Sequence, residues 1–338
     1  MMRVTAVFSM LLAMAAPASA QQDFYAGKTI TVIVGSGAGG GYDLLARLMT
    51  RHLGRHIPGH PAFVVQNLPT ANSLVAANNL FNLAPKDGST IGLLQRGMIT
   101  LKFFNPGGVR FDVAKFNWLG SLNTETAATA VWHTAPHRTA QDLFERELVV
   151  GGMTGIDPEI TPRLYNALIG TRFKIILGYS GTPNIALAME RGEVQGIGHW
   201  SWSSLKKQKP DWVRDQKIRV LLQGGLRKEP DLAGVPSALE FVRNEADRTL
   251  MQLHFSQQLA ARPLAAPPDV PADRVALLRK AFMALASDPE FLAEAERTGL
   301  EVDLVPGEEV QRVIGTITSA PQDLIDRYIA AIKPGDRP

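Results

Sequence analysis

Short β-branched runs and amphipathic stretches take turns along the first hundred residues. Thr29-Ile30-Thr31-Val32-Ile33-Val34 is apolar or β-branched throughout and stops at Gly35, which predicts a strand. Over residues 43–56 the period changes. Leu44, Leu45, Leu48, Met49 and Leu53 form one stripe and Arg47, Arg51 and Arg55 lie away from it, as in a surface helix. Pro58-Gly59 ends that helix, residues 62–66 read as a second strand and residues 73–83 as a second helix. After the Asp87-Gly88 turn, residues 90–94 form a third strand. Strand–helix–strand–helix–strand at this spacing predicts parallel pairing through right-handed crossovers.

The pattern restarts mid-chain. Leu148-Val149-Val150 leads into Gly151-Gly152, followed by a helix over 159–169, a strand over 173–177, a helix over 183–191 and strands at 196–198 and 218–222. Proline and glycine punctuation between Arg262 and Pro271 predicts a linker or hinge. Two helices, 272–286 and 307–331, are expected to close the chain. The pattern amounts to two α/β units of about a hundred residues each.

Length and charge agree with that division and narrow the chemistry. A chain of 338 residues suffices for two cores. Its 35 basic and 32 acidic residues leave a formal charge of +3, too balanced for a nucleic-acid surface. The absence of cysteine excludes disulfides, thiolate metal sites and cysteine nucleophiles. Arg3, the apolar stretch 4–16 and Ala18-Ser19-Ala20 have the layout of a cleavable signal peptide over residues 1–20, so an exported protein is expected.

The sharpest local feature is Gly35-Ser36-Gly37-Ala38-Gly39-Gly40-Gly41-Tyr42-Asp43, between the first strand and the first helix. Glycines allow close backbone approach, and the unpaired amides of the helix start suit a carboxylate or phosphate. Asp43 reads as a residue that satisfies amides at the helix start rather than as an acid catalyst. Glycines 35, 37 and 40 match a dinucleotide fingerprint. That motif needs a carboxylate about 20 residues on, and none occurs between Asp43 and Asp87, so no cofactor is expected. Gly178-Tyr179-Ser180-Gly181-Thr182 approaches a nucleophile elbow but has Thr182 in place of glycine. His52, His56 and His60 are spaced by four. Gly54, Pro58 and Gly59 interrupt any single helix through them, so solvated surface histidines are expected there, with no metal site. Met98 and Met153 read as core or pocket-wall residues, and Lys206, Lys207 and Lys209 as a solvated turn.

Taken in order, several of these segments resemble a known family. Strand 29–34, loop 35–43 with Ala46-Arg47, Gln66-Asn67-Leu68-Pro69, Ala84-Pro85-Lys86-Asp87-Gly88, Gly178-Tyr179-Ser180-Gly181-Thr182 and Arg191-Gly192-Glu193-Val194 resemble the substrate-binding proteins of tripartite tricarboxylate transporters, the Bug receptors. The match spans nearly the whole mature chain. It departs after Pro69, where the family's usual Gly-Ala-Gly is replaced by Thr70-Ala71-Asn72-Ser73, and at Tyr42, where a small hydroxyl residue is frequent.

The resemblance implies a two-lobed α/β periplasmic binding protein of type II, a clamshell whose domains are joined by crossing hinge strands. It places residues 21–121 with 259–338 in lobe 1 and 122–258 in lobe 2. A small carboxylated solute would sit between them, gripped by backbone amides, hydroxyls and water rather than by arginine. Gly37, Ala38, Gly39, Gly40 and Tyr42, with Asn72 and Ser73, would line one wall. Gly152, Met153, Thr154, Ser180, Gly181 and Thr182 would line the other, with Trp132, Trp200 and Trp202 as wall or core. No catalysis is implied, and the partner would be the integral-membrane permease subunits. A ligand sensor for a histidine kinase and an exported hydrolase using Ser180 are the competing expectations.

Overall fold

The computed structural model describes residues 24–71, 73–104 and 107–333. The expected signal peptide, residues 1–20, lies outside them, as does Asn72.

The β-branched run forms strand β1 (Thr29–Val34), which pairs in parallel with β2 (Ala62–Asn67) and β3 (Thr90–Leu93). Helices Gly41–Leu53 and Leu74–Asn82 make the crossovers. The chain then adds β4 (Asn117–Ser121) and crosses to a second sheet built from β5 (Ala127–Trp132), β6 (Leu148–Gly151), β7 (Phe173–Ile176), β8 (Gly196–Ser201) and β9 (Ile218–Gly224). It returns through helix Glu245–Ser256 to β10 (Pro263–Ala266) and β11 (Val305–Pro306). The first sheet has the order β11-β4-β10-β3-β1-β2 and the second β7-β6-β8-β5-β9. Each mixes a parallel βαβ portion with antiparallel strands contributed at the crossings. Both sheets are covered by helices, and each has its own buried apolar clusters.

Three expectations change. The 262–271 segment contains β10, which lies fully buried between β3 and β4. Its Pro263 opens the strand, the position at which a missing N–H does least harm, and Leu-Ala-Ala carries no β signature of its own. The helix expected over 307–331 is two helices, Gly307–Thr318 and Gln322–Ile332, broken at Pro321. A further helix, Pro289–Thr298, precedes them, capped by Asp288 through the amides of Glu290 and Phe291. The last helix leaves the first sheet altogether. Its Tyr328 packs with Leu164 and Leu250 beside the second sheet.

The surface histidines also differ from expectation. His52 is buried and its Nε2 meets Glu294 Oε2 at 2.6 Å, while His56 Nε2 meets Asp288 Oδ2 at 2.7 Å. They tie the first helix to the Pro289–Thr298 helix, a long-range partner that local spacing does not reveal.

Strand β4 is the last of the first sheet before the crossing, and Gly120 there leaves no space. A Cβ would lie 2.2 Å from the Phe282 ring and 2.8 Å from the Val305 carbonyl oxygen. Gly120→Ala is therefore expected to destabilise the protein by about 1–3 kcal/mol, read as a lowered midpoint in urea unfolding.

Candidate functional site

The strands that open each βα unit end in a glycine-bearing loop, and each loop is folded by the same device. In the first, Gly39 donates its amide hydrogen to Asp43 Oδ2 at 2.8 Å, and Arg47 Nε donates to the same carboxylate at 3.0 Å. In the second, Gly155 donates to Glu159 Oε2 at 2.7 Å and Arg163 Nε to Oε1 at 2.9 Å. An acid one turn into the helix thus satisfies a loop amide four residues back, and an arginine one turn further on neutralises the acid. Asn67 at the end of β2 adds bonds to Asp43 and to the Ser36 carbonyl. Burial pushes the Asp43 carboxyl up, but the bonds from Arg47, Gly39 and Asn67 outweigh it and hold the group below the usual carboxylate range.

Gly35 accommodates a second close approach. A Cβ there would lie 1.5 Å from Ser73 Oγ, which donates to the Gly35 carbonyl at 2.9 Å and accepts from the Gln95 amide. The Ser73 hydroxyl is thus fully engaged inside the first lobe.

Between the sheets lies a cavity of about 690 Å³. Tyr42, Met98, Met153, Ile156 and Trp200 supply apolar wall, and Arg96, Glu125, Asp157, His199 and Arg262 supply charge or polarity. A second chamber of about 410 Å³ adjoins it, sharing Ser204, Gln208 and Arg262, with Gly39, Gly40 and Lys207 on its walls. Of the residues expected to bind ligand, Tyr42, Met153, Thr154 and Thr182 therefore line the larger cavity, and Gly39 and Gly40 the smaller. Gly37, Ala38, Ser73, Gly152, Ser180 and Gly181 line neither. Ser180 Oγ bonds Asn184 Oδ1 at 3.3 Å. Trp132 and Trp202 pack in the core of the second lobe. The lysine cluster is not a solvated turn: Lys206 pairs with Asp231 and Glu301, and Lys207 Nζ donates to the Thr298 carbonyl, reaching across to the first lobe.

The charged wall was not expected, and its parts come from four separate places in the chain. Glu125 sits on the crossing between β4 and β5, with its side chain only 3% exposed. It bonds Arg262 Nη1 at 2.8 Å through one oxygen and Arg96 through the other. Arg96, just past β3, reaches over to Asp157 of the second lobe through Nε and Nη2. The Arg262 guanidinium stacks on the Tyr42 ring, 4.3 Å from its centroid, and the Tyr42 hydroxyl donates to the Ala261 carbonyl. Arg96 and Arg262 each had a local signal, one at a strand's carboxyl end and one in the hinge passage, but no signal joined them to Glu125.

Behind Asp157 runs a line of polar groups: His199, Thr161, His254 and Tyr328, with Thr161 Oγ1 2.8 Å from His199 Nδ1 and 2.9 Å from His254 Nε2. His254 Nδ1 is 2.8 Å from the Tyr328 hydroxyl. Burial drives the His199 pKa down to about 3, against the pull of Asp157, and that of His254 to about 4. With both rings neutral, one direction satisfies the line. Tyr328 donates to His254, His254 to Thr161, Thr161 to His199, and His199 points its remaining N–H at Asp157. Burial pushes the Asp157 carboxyl up, but Arg96 more than offsets this, so the carboxylate persists well below its ordinary pKa. Asp157, His199 and His254 also bring metal-ligand atoms within 4.8 Å of one another. These three residues bond Arg96, Thr161 and Tyr328 in this structure.

No protein-family model matches the chain, and no curated protein sequence does. Solved structures do. A TctC solute-binding protein from Polaromonas, crystallised without ligand, superposes with a TM-score of 0.69 at 19% identity over 91% of this chain and 99% of that one. An R. palustris protein solved with adipate gives 0.63 at 19% identity over 90% and 96%. MatC from Rhodopseudomonas palustris, solved with bound malate, gives 0.58 at 18% identity over 90% and 99%. The periplasmic binding protein BugD is similar in the same way. The chain thus has the two-lobed fold of the TctC and Bug periplasmic solute-binding proteins.

Two outcomes are expected from this geometry. Asp43→Ala removes a buried carboxylate that folds the first loop and should cost about 1.5–3 kcal/mol, measured by chemical unfolding. Acidification should act through the two histidines. Their folded pKa values lie below the ordinary value near 6.5, so the unfolded chain binds their protons first, and stability falls as pH drops from about 6.5 toward about 4. Thermal melts between pH 7.5 and 4.5 should show that slope, and His254→Gln should flatten it.

Proposed function

We propose that this chain is an extracytoplasmic solute receptor, exported to the periplasm, that captures a small carboxylated metabolite between its lobes. It delivers that solute to the integral-membrane permease of a tripartite tricarboxylate-type transporter. The observation that carries the reading is the 690 Å³ cavity, walled by both lobes and by Arg262 from the hinge crossing. A cleft that takes wall from two bodies is more complete when they close, so a bound solute favours the closed state by the contacts it makes only there. The likeness in fold to proteins solved with adipate and malate supports the same reading.

In this reading the lobes move as residues 21–121 with 259 onward against 122–258, hinged where the crossing segments lie together. Glu125 donates its amide to the Gln258 carbonyl at 3.0 Å at that point. One boundary is revised. Helix Gln322–Ile332 packs beside Leu164 and Leu250, so it travels with lobe 2. Capture involves no chemistry on the solute. Arg262 takes the carboxylate, with Tyr42 behind its guanidinium face and Thr154 and Thr182 on the opposite wall.

The test is a thermal-shift and calorimetric screen of mono-, di- and tricarboxylates, with and without amino groups. A true ligand at a hundred times its Kd should add about 2.7 kcal/mol of stability. Arg262→Met should weaken it at least tenfold. Flat melting curves across the whole panel, on folded protein, reject the receptor reading.

A further inference from the structure

The wall of the larger cavity carries four formal charges that cancel: Arg96 and Arg262 against Glu125 and Asp157. His199, beside them, is held neutral by burial. A wall already balanced suits a solute whose own charges balance. Each uncompensated negative charge brought in must lose its water beside two carboxylates.

The unfilled bonding positions on this wall are of both signs. Arg262 commits Nη1 to Glu125 and to the Ala261 carbonyl; its Nε is buried without an acceptor, and its Nη2, which bonds no described residue, is the position left for a solute. Asp157 is contacted by Arg96 and approached by His199 only at Oδ2. Its Oδ1 accepts no hydrogen bond among the described residues, and its side chain is 25% exposed at the cavity. The two open groups belong to the hinge crossing and to the second lobe respectively. The same cavity wall carries the apolar side chains of Met98, Met153, Ile156 and Trp200.

We infer that the solute is a zwitterion, a small carboxylate that also bears a cationic nitrogen, with its carboxylate on Arg262 and its cation on Asp157. The inference rests on the receptor reading and narrows its ligand class. Arg96 and Glu125 then act as positioning residues. Glu125 fixes both guanidiniums, and Arg96 holds Asp157 ionised and turned so that one oxygen remains open. A carboxylate lacking the nitrogen leaves the open oxygen of Asp157 facing the cavity with no cation on it, and its own charge unbalanced.

Matched pairs that differ only at the nitrogen test this: the common amino acids and γ-aminobutyrate, each against its hydroxy or unsubstituted acid, including phenylalanine with phenyllactate, leucine with 2-hydroxyisocaproate and aspartate with malate. Calorimetry on the wild-type chain should find an amine-bearing acid bound at least tenfold more tightly than its partner. Asp157→Asn, of equal size, should lower that preference at least tenfold, with circular dichroism reporting its fold. The wild-type comparison decides alone if the variant does not fold. Equal or tighter binding of the amine-free acids overturns the zwitterion assignment and leaves the receptor standing, as does a preference that survives in Asp157→Asn. A panel with no binder of either kind overturns both.

Discussion

A carboxylate buried where the chain passes between two lobes can persist only if cations are brought to it, and Glu125 imposes that demand. Its two oxygens hold Arg96 and Arg262, which come from the end of β3 and from the return crossing. Arg96 in turn spans the cleft to Asp157. The end of β3, the two crossing segments and one helix start of the far lobe are thereby linked to one another by charge. Tyr42 completes the arrangement from the first helix, with Arg262 on its ring and its hydroxyl between the Arg96 amide and the Ala261 carbonyl.

The glycine loops serve this arrangement in a different way from the one their composition suggests. A glycine-rich strand-to-helix turn presents unpaired amides, and an external anion is one means of satisfying them. Here an internal acid already takes one amide in each loop: Asp43 for Gly39 and Glu159 for Gly155, each neutralised by an arginine four residues on. The loops are therefore folded by their own side chains, and in the proposed reading the charge that a solute meets comes from side chains beyond them. The line from Asp157 through His199, Thr161 and His254 to Tyr328 extends the same logic into the second lobe, where neutral imidazoles relay one direction of hydrogen bonding to a group that remains ionised.

Local pattern was enough for most of the scaffold. β1, β2, β3, β6 and β7, and the helices that follow β1, β2, β6 and β7, fall within a few residues of where period and punctuation place them, because each buries a face readable from its own residues. β10 was not readable in this way. Pro263-Leu264-Ala265-Ala266 looks like a hinge passage, and only the neighbouring edges of β3 and β4 make it a strand. His52 and His56 failed similarly, since their carboxylate partners lie more than 230 residues away.

By itself, the sequence determined the two α/β units, the parallel start of the first sheet and the structural role of Asp43, and it left Met98 and Met153 as core or wall. All of these depend on interactions within a few residues or on repeating periodicity. Only the tertiary structure decided that the cleft is lined by Arg96, Glu125, Asp157, His199 and Arg262, that Ser73 is spent inside the lobe, and that the last helix crosses to the second lobe. The physical reason is that an ion pair depends on distance in space, and residues 96, 125, 157 and 262 carry no mark in the linear chain of the electrostatic partners that folding brings within reach.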